Sequence, residues 1–286
     1  MATRAAAVAG TWYPATPGAL AKDVEGYLRA AAPTAERAEA GQVTALIAPH
    51  AGLMFSGPVG AHAYAAVTGG RFDVAVLVGP SHFVAFDGVA LYPDGAFATP
   101  LGDIPIDAAG ARRLEHFPVI HAMPAAHARE HSLEMQLPFL KTVLPDTPIV
   151  PLLMGYQTRE TIVALGDALA AAFADRRALL VASTDLSHYF DARSAQALDR
   201  RVQEFVAAFD PTGLLEHFEQ YPEGDRGRYV ACGGGPMIAV MLAARTLGAS
   251  DARVLHYAHS GDVSGDHDGV VGYLAAALGT FTNARG

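Results

Sequence analysis

The feature that most constrains this chain is an alternation. Short, unbroken apolar runs recur between longer amphipathic segments. The strand candidates are Val43–Ala48, Asp73–Val78, Gly88–Tyr92, Ile149–Met154, Leu179–Ala182, Arg253–Ala258 and Val270–Ala275. Several are continuously apolar rather than alternating, which is the pattern of strands covered on both faces. The segments between them carry helix signals. Thr16-Pro17 sets a cap and a first-turn proline, and Asp210-Pro211 repeats the device. Asp107 and Asp191 are positioned as further caps. Gly248 ends the apolar segment "GPMIAVMLAARTLG", and Pro138 is expected to kink or end a helix begun in "EHSLEMQL". Strand alternating with helix predicts one α/β domain over 1–286, its central, mainly parallel sheet flanked by helices.

Composition narrows the function classes. With 286 residues, 51% of them hydrophobic, the chain can bury a large core. A net charge of −9 without a Lys/Arg cluster argues against nucleic acid or an anionic membrane as partner. The single cysteine, Cys232, excludes an internal disulfide and suits a reducing compartment. The Ala-rich N-terminal run is too brief for a signal-peptide core, and no apolar stretch is long enough to span a bilayer. The expectation is a soluble, cytoplasmic protein.

Polar residues then fall on this scaffold in a recurring place. His50 follows the first strand candidate by two residues, in "LIAPHAG". His82 follows the second, in "VGPSH". Asp185 and His188 follow Leu179–Ala182, in "ASTDLSHY". In parallel sheets the carboxyl ends of strands face one edge, and ligands bind in the crevice there. A lone histidine after a strand is ordinarily structural, bonding a loop carbonyl; three in the same topological position favour a site. Cys232 precedes "GGGP" and a helix, whose N-terminus favours thiolate. Read alone, it is equally a small buried residue. Imidazoles and a thiolate together suit iron, copper or zinc. Asp185 is placed to orient His188, which would then move a proton.

One further motif is set aside. "HAREH", His127 to His131, matches the inverted zinc-protease pattern H-x-x-E-H. That chemistry needs both rings on one helix face, and Pro124 upstream and Ser132 downstream read as helix boundaries. The remaining histidines, among them His62 and His256, read as surface or packing residues, with His259 a weaker candidate for the pocket rim.

The segments "AVAGTWYP", "IAPHAGLMFSG", "GPSHF", "EHSLEMQLPFL", "STDLSHY" and "HYAHSGD", in that order, resemble the motifs of the Memo family. Its prokaryotic members are labelled component B of the AmmeMemoRadiSam system. The resemblance runs from Val8 to about Leu278 and implies a fold similar to that of class III extradiol dioxygenases. It implies that His50, His82 and Cys232 are metal-pocket residues and that His188, with Asp185 beside it, occupies the place of an acid–base histidine. It places Trp12 and Phe55 at the pocket mouth, where family members have been linked to phosphotyrosine peptides. Phe55 stands where a tyrosine is usual. Cys232 stands where the oxygenases have a carboxylate, a softer donor that favours copper or zinc and is itself oxidisable.

The expected function is a metal-dependent oxidoreductase using non-haem iron or copper, with zinc as a further candidate ion. The alternative is a non-catalytic module that binds a peptide or small molecule in the same pocket. Proteins of the AmmeMemoRadiSam system are candidate partners on the family label alone.

Overall fold

The computed structural model describes residues 3–38 and 41–281. Its main sheet contains β1 (Gly41–Ala48), β2 (Val74–Pro80), β3 (Val89–Leu91), β4 (Ile120–Ala122), β5 (Ile149–Met154), β6 (Ala178–Ser183), β7 (His188–Phe190), β8 (Asp251–His259) and β9 (Val270–Phe281). The order across the sheet is β7-β9-β1-β6-β2-β5-β3-β4, with β8 also pairing β9. The four central strands β1, β6, β2 and β5 are parallel. Around them β9 runs antiparallel to both β1 and β8, and β3 runs antiparallel to β5. The sheet is therefore mixed, with a parallel centre. The 260–269 connection is too short to hold a crossover helix, so β8 and β9 form a hairpin.

The apolar runs are continuous because both faces are covered. Along β1, Ala45 and Ile47 pack into one core while Leu46 and Ala48 pack into the other. β2 and β6 divide in the same way, Val76 and Leu180 to the first core, Leu77 and Val181 to the second. The helices Arg159–Phe173 and Gly234–Thr246 cover the first face with residues such as Leu165 and Met241. The helices Pro17–Ala38, Leu53–Ala65 and Leu137–Val143 cover the second with Leu20, Tyr64 and Phe139.

The boundary signals fare unevenly. Asp191 accepts from the backbone N–H groups of Arg193 and Ser194, and Asp210 from Gly213. Gly248, at φ +98°, closes its helix with two bonds, Ala249 N–H to the Ala244 carbonyl at 2.9 Å and Gly248 N–H to that of Arg245 at 3.1 Å. Asp107 makes no cap bond. Its carboxylate takes the Arg176 guanidinium instead, a charge-assisted bond that outcompetes a backbone N–H. Pro138 neither kinks nor ends a helix. The segment before it is a short 3₁₀ turn, Glu134–Gln136, and Pro138 stands in the first turn of the helix that follows, where its missing N–H costs nothing.

Candidate functional site

The loops after β1, β2 and β6 meet at the carboxyl edge of the parallel strands. His50 leaves β1 with its backbone N–H donated to Asp185 Oδ1 at 2.8 Å. Its ring Nδ1 lies 2.9 Å from Ser183 Oγ. The Ser183 hydroxyl has one proton, and it goes to the Ser132 carbonyl at 2.6 Å. Towards His50 it can therefore only accept, as it also does from Gln136 Nε2 at 2.8 Å. Nδ1 thus carries the hydrogen, and the lone pair of Nε2 is free. That Nε2 lies 3.3 Å from Cys232 Sγ. Burial, with the neighbouring His82 and His131 rings adding to it, pulls the His50 pKa well below the usual imidazole range.

His82 repeats the arrangement with a stronger partner. Its backbone N–H donates to Glu130 Oε2 at 2.6 Å and its Nδ1 lies 2.9 Å from Glu130 Oε1. Burial alone would lower the ring's pKa. Contacts with Cys232 and Glu130 outweigh it and raise the pKa to about 10. Glu130 is itself 2% exposed, yet burial is overcome by the bonds from His82 and Ser132, which hold its pKa at about 2. In both histidines the Nδ1 side is anchored, as second-shell partners anchor metal-ligating imidazoles.

Cys232 enters from a loop one residue before the N-cap of the helix Gly234–Thr246. Its backbone N–H donates to the Asp185 carbonyl, and Sγ accepts from the Asp185 N–H at 3.4 Å. Gly233 lets this loop approach β6: a Cβ there would sit 2.5 Å from the Ser183 carbonyl oxygen. Asp185 braces the His50 turn, and burial raises its pKa. No hydrogen bond joins it to the ring of His188, whose buried Nδ1 has no partner among the described residues. His188 is close enough to His50 to depress that ring's pKa electrostatically. The residue after it, Tyr189, adopts φ +62° and holds its ring in solvent.

Two sets of three donors lie close enough to surround an ion, their donor atoms within 4.8 Å of one another. One is His50, Asp185 and Cys232; the other is His50, His82 and His131. The expected trio of His50, His82 and Cys232 straddles these sets, with His50 common to both. Trp12 reaches the site, its ring centroid 4.2 Å from that of His131. Phe55 is half-buried in the first turn of the helix Leu53–Ala65 and packs against the second core.

His131 and Glu130, unforeseen as site residues, lie in the motif "HAREH". The helical form of that motif is absent, since the helix Pro124–His127 stops at its first histidine, whose Nε2 bonds the Ala90 carbonyl at 3.0 Å. Its second half is nevertheless in the site. Also unforeseen is the wall of a 450 Å³ cleft that opens on His82 and Cys232. The polar loop "YPEGDRGRY" contains the helix Glu223–Tyr229, whose Arg226 lines the cleft beside Gln157 and Tyr156. Gln157 donates to the Cys232 carbonyl at 2.6 Å and accepts from Gly235 N–H at 2.7 Å. A larger cavity of 620 Å³, lined in part by Arg71, Arg176 and Arg177, contains none of the imidazoles. No helix among the described residues is long and apolar enough to cross a membrane.

Comparison with known proteins agrees with this geometry at the level of family. The Memo-like protein family model matches residues 4–277. MEMO1 family protein MK0963 of Methanopyrus kandleri is 39% identical, the match covering 95% of this chain and 97% of that protein. MEMO1 family protein MTH_45 of Methanothermobacter thermautotrophicus is 37% identical, covering 94% and 98%. Among solved structures, the uncharacterized protein JW3007 from Escherichia coli K12 superposes with a TM-score of 0.55 at 17% identity, covering 83% of this chain and all of that one, a likeness of fold alone. A family model spanning nearly the whole chain, with relatives matched over almost their full lengths, means that this chain belongs to the Memo family.

Proposed function

We propose that this protein is a metal-dependent oxidoreductase holding iron or copper, with zinc as the further candidate, on His50, His82 and Cys232. The observation that carries the reading is the meeting of His50 Nε2 and Cys232 Sγ at 3.3 Å while the Nδ1 atoms of both histidines are bound elsewhere. The donor set fits such an ion: two imidazoles anchored through Nδ1 and one sulfur, from three separate chain segments. Bound there, iron or copper supplies one-electron chemistry and a Lewis acid.

The protein's own groups have distinct parts in this reading. Ser183 and Gln136 fix the His50 tautomer, and Glu130 fixes the orientation of the His82 ring. Asp185 holds the His50 turn and the Cys232 loop together through its carboxylate and its backbone. His188, with Nδ1 unpartnered beside the site, takes or returns the substrate proton. The cleft walled by Gln157, Tyr156 and Arg226 admits a small organic substrate next to His82 and Cys232.

The test is metal content by mass spectrometry, on protein purified without chelators, for wild type, His50→Ala and Cys232→Ser. Near-stoichiometric iron or copper in wild type and its loss in the variants supports the proposal. Equally little iron, copper and zinc in all three ends it.

A second reading rests on the rim. Trp12, Met54, Phe83, Tyr156 and Tyr189 are all large exposed apolar side chains, on loops, a helix start and the short strand β7. They suit a binding module that recognises a peptide or small ligand with apolar surface. Peptide-library titration separates the two. Binding untouched by the combined Trp12→Ala and His82→Ala change removes the module reading.

A further inference from the structure

His131 is the anomaly of the site. It is 7% exposed, packed with its ring centroid 4.2 Å from Trp12 and 4.6 Å from His82, stacked on the latter at 23°. A histidine so enclosed ordinarily bonds through at least one nitrogen. Here the buried Nδ1 has no hydrogen-bond partner among the described residues. Nδ1 is 3.2 Å from Glu130 Oε1, but out of line for a hydrogen bond. The Glu130 carboxylate is already occupied by the N–H groups of His82, His131 and Ser132. A ring left unsatisfied in a polar cluster is an unused donor. Its donor atom lies within 4.8 Å of donor atoms of both His50 and His82.

Building on the metal reading above, we propose that His131 is a fourth donor of the centre. With His50 and His82 it forms an all-imidazole seat that holds the ion when Cys232 is not a ligand. The seat proposed above and this one share His50 and His82 and differ in softness. The first offers sulfur beside the shared rings, the second a third nitrogen. His50 cannot bridge two ions, because its Nδ1 is committed to Ser183. The sets are therefore alternative seats for one ion rather than halves of a dinuclear site. Thiolate favours a soft ion such as Cu(I), and three imidazoles suit Cu(II) or Fe(II). Cys232 is the oxidisable member, and an ion displaced from a modified sulfur has a second place to rest. Trp12 packs against the His131 ring on the outer side of that seat.

The test uses Co(II) as a spectroscopic probe on the full chain. Wild type is expected to show a sulfur-to-cobalt charge-transfer band together with ligand-field bands. Cys232→Ser loses the first and keeps the second. Adding His131→Phe, which preserves the ring packing against Trp12, is expected to weaken Co(II) binding further by on the order of 100-fold, a loss that removal of even an outer partner reaches. A double variant that binds Co(II) as tightly as Cys232→Ser overturns the inference. A measurement needing no change at His131 is the EPR spectrum of Cys232→Ser loaded with Cu(II). Splitting from three nitrogens supports the imidazole seat, and splitting from two refutes it. Wild type that binds no ion at all ends the function proposed above as well. Wild type that binds while His131 makes no difference ends this inference alone.

Discussion

Glu130 grips His82 at two points: one carboxylate oxygen takes the backbone N–H at 2.6 Å and the other lies 2.9 Å from ring Nδ1. The chelate fixes both the position of the loop after β2 and the orientation of its imidazole, so that Nε2, on losing its proton, is the only nitrogen His82 can offer an ion. A carboxylate held at a pKa of about 2 also stays ionised throughout the working range. Glu130→Gln places an amide donor against at least one N–H and removes the charge. Metal affinity is expected to fall by about 10–100-fold, the usual consequence of losing such an outer partner. Competition with a chromophoric chelator measures it. Unchanged affinity would reduce Glu130 to a loop brace.

Ser183 has a comparable role for His50, but through a neutral network. Its hydroxyl joins the His50 ring, Gln136 and the Ser132 carbonyl, and Gln136 in turn accepts from Tyr64 at 2.8 Å. Ser183→Ala strands two donors and one acceptor in a fully buried place. Stability is expected to drop by about 1–3 kcal/mol for the unsatisfied groups. Freed of its acceptor, His50 can also take the other tautomer, and metal affinity should weaken with it. Urea unfolding of the metal-free protein isolates the first effect. A variant as stable as wild type would show that water replaces the hydroxyl.

Glu134 holds down the segment that carries Trp12. Its carboxylate accepts from the N–H groups of Ala7 and Val8, from Tyr13 Oη at 2.6 Å and from Arg4 Nη1 at 2.5 Å. Arg4 and Glu134 are both almost fully buried. Removing the charge with Glu134→Gln leaves the guanidinium uncompensated and should cost about 3 kcal/mol. Trp12 is the chain's one tryptophan, so its fluorescence reports the segment directly. Red-shifted emission and lower anisotropy are expected in the folded variant. An unaltered spectrum would mean that the contact with His131 alone holds Trp12.

The parts of this molecule legible in the sequence are those with local causes. Continuous apolar runs gave the parallel centre, because a strand covered on both faces has no polar side to show. Asp191, Asp210 and Gly248 acted as their chemistry dictates, each within a few residues of its partner. His50, His82 and Cys232 were recognisable by their place at element ends, and the structure brings them to one edge. What was hidden depended on distant partners. Asp107 lost its cap to Arg176, 69 residues away. The antiparallel flanks followed from pairing partners that no local pattern specifies. Glu130 and His131 carried no periodic signal of their own, and a helix-based test of "HAREH" excluded them although the chain passes through the site in an extended turn.

His127 supplies a pH dependence whose sign can be worked out. Burial, reinforced by nearby Arg4, lowers its pKa to about 4, against the opposing bond to the Ala90 carbonyl and the charge of Glu130. The unfolded chain binds a proton near pH 6.5, whereas the folded chain refuses it until about pH 4. Above pH 6.5 both states are neutral, and the residue contributes no pH dependence. As pH falls through the window from 6.5 to 4, only the unfolded state gains the proton, so stability declines by up to about 3 kcal/mol and then levels off. Other depressed histidines, His62 and His131 among them, add to the same acid slope. His127→Phe should therefore start lower at pH 7, having lost the Ala90 bond, yet decline less steeply between pH 6.5 and 4. Denaturant midpoints of the metal-free protein across that range give the comparison, and parallel slopes for variant and wild type would show that His127 titrates normally in the fold.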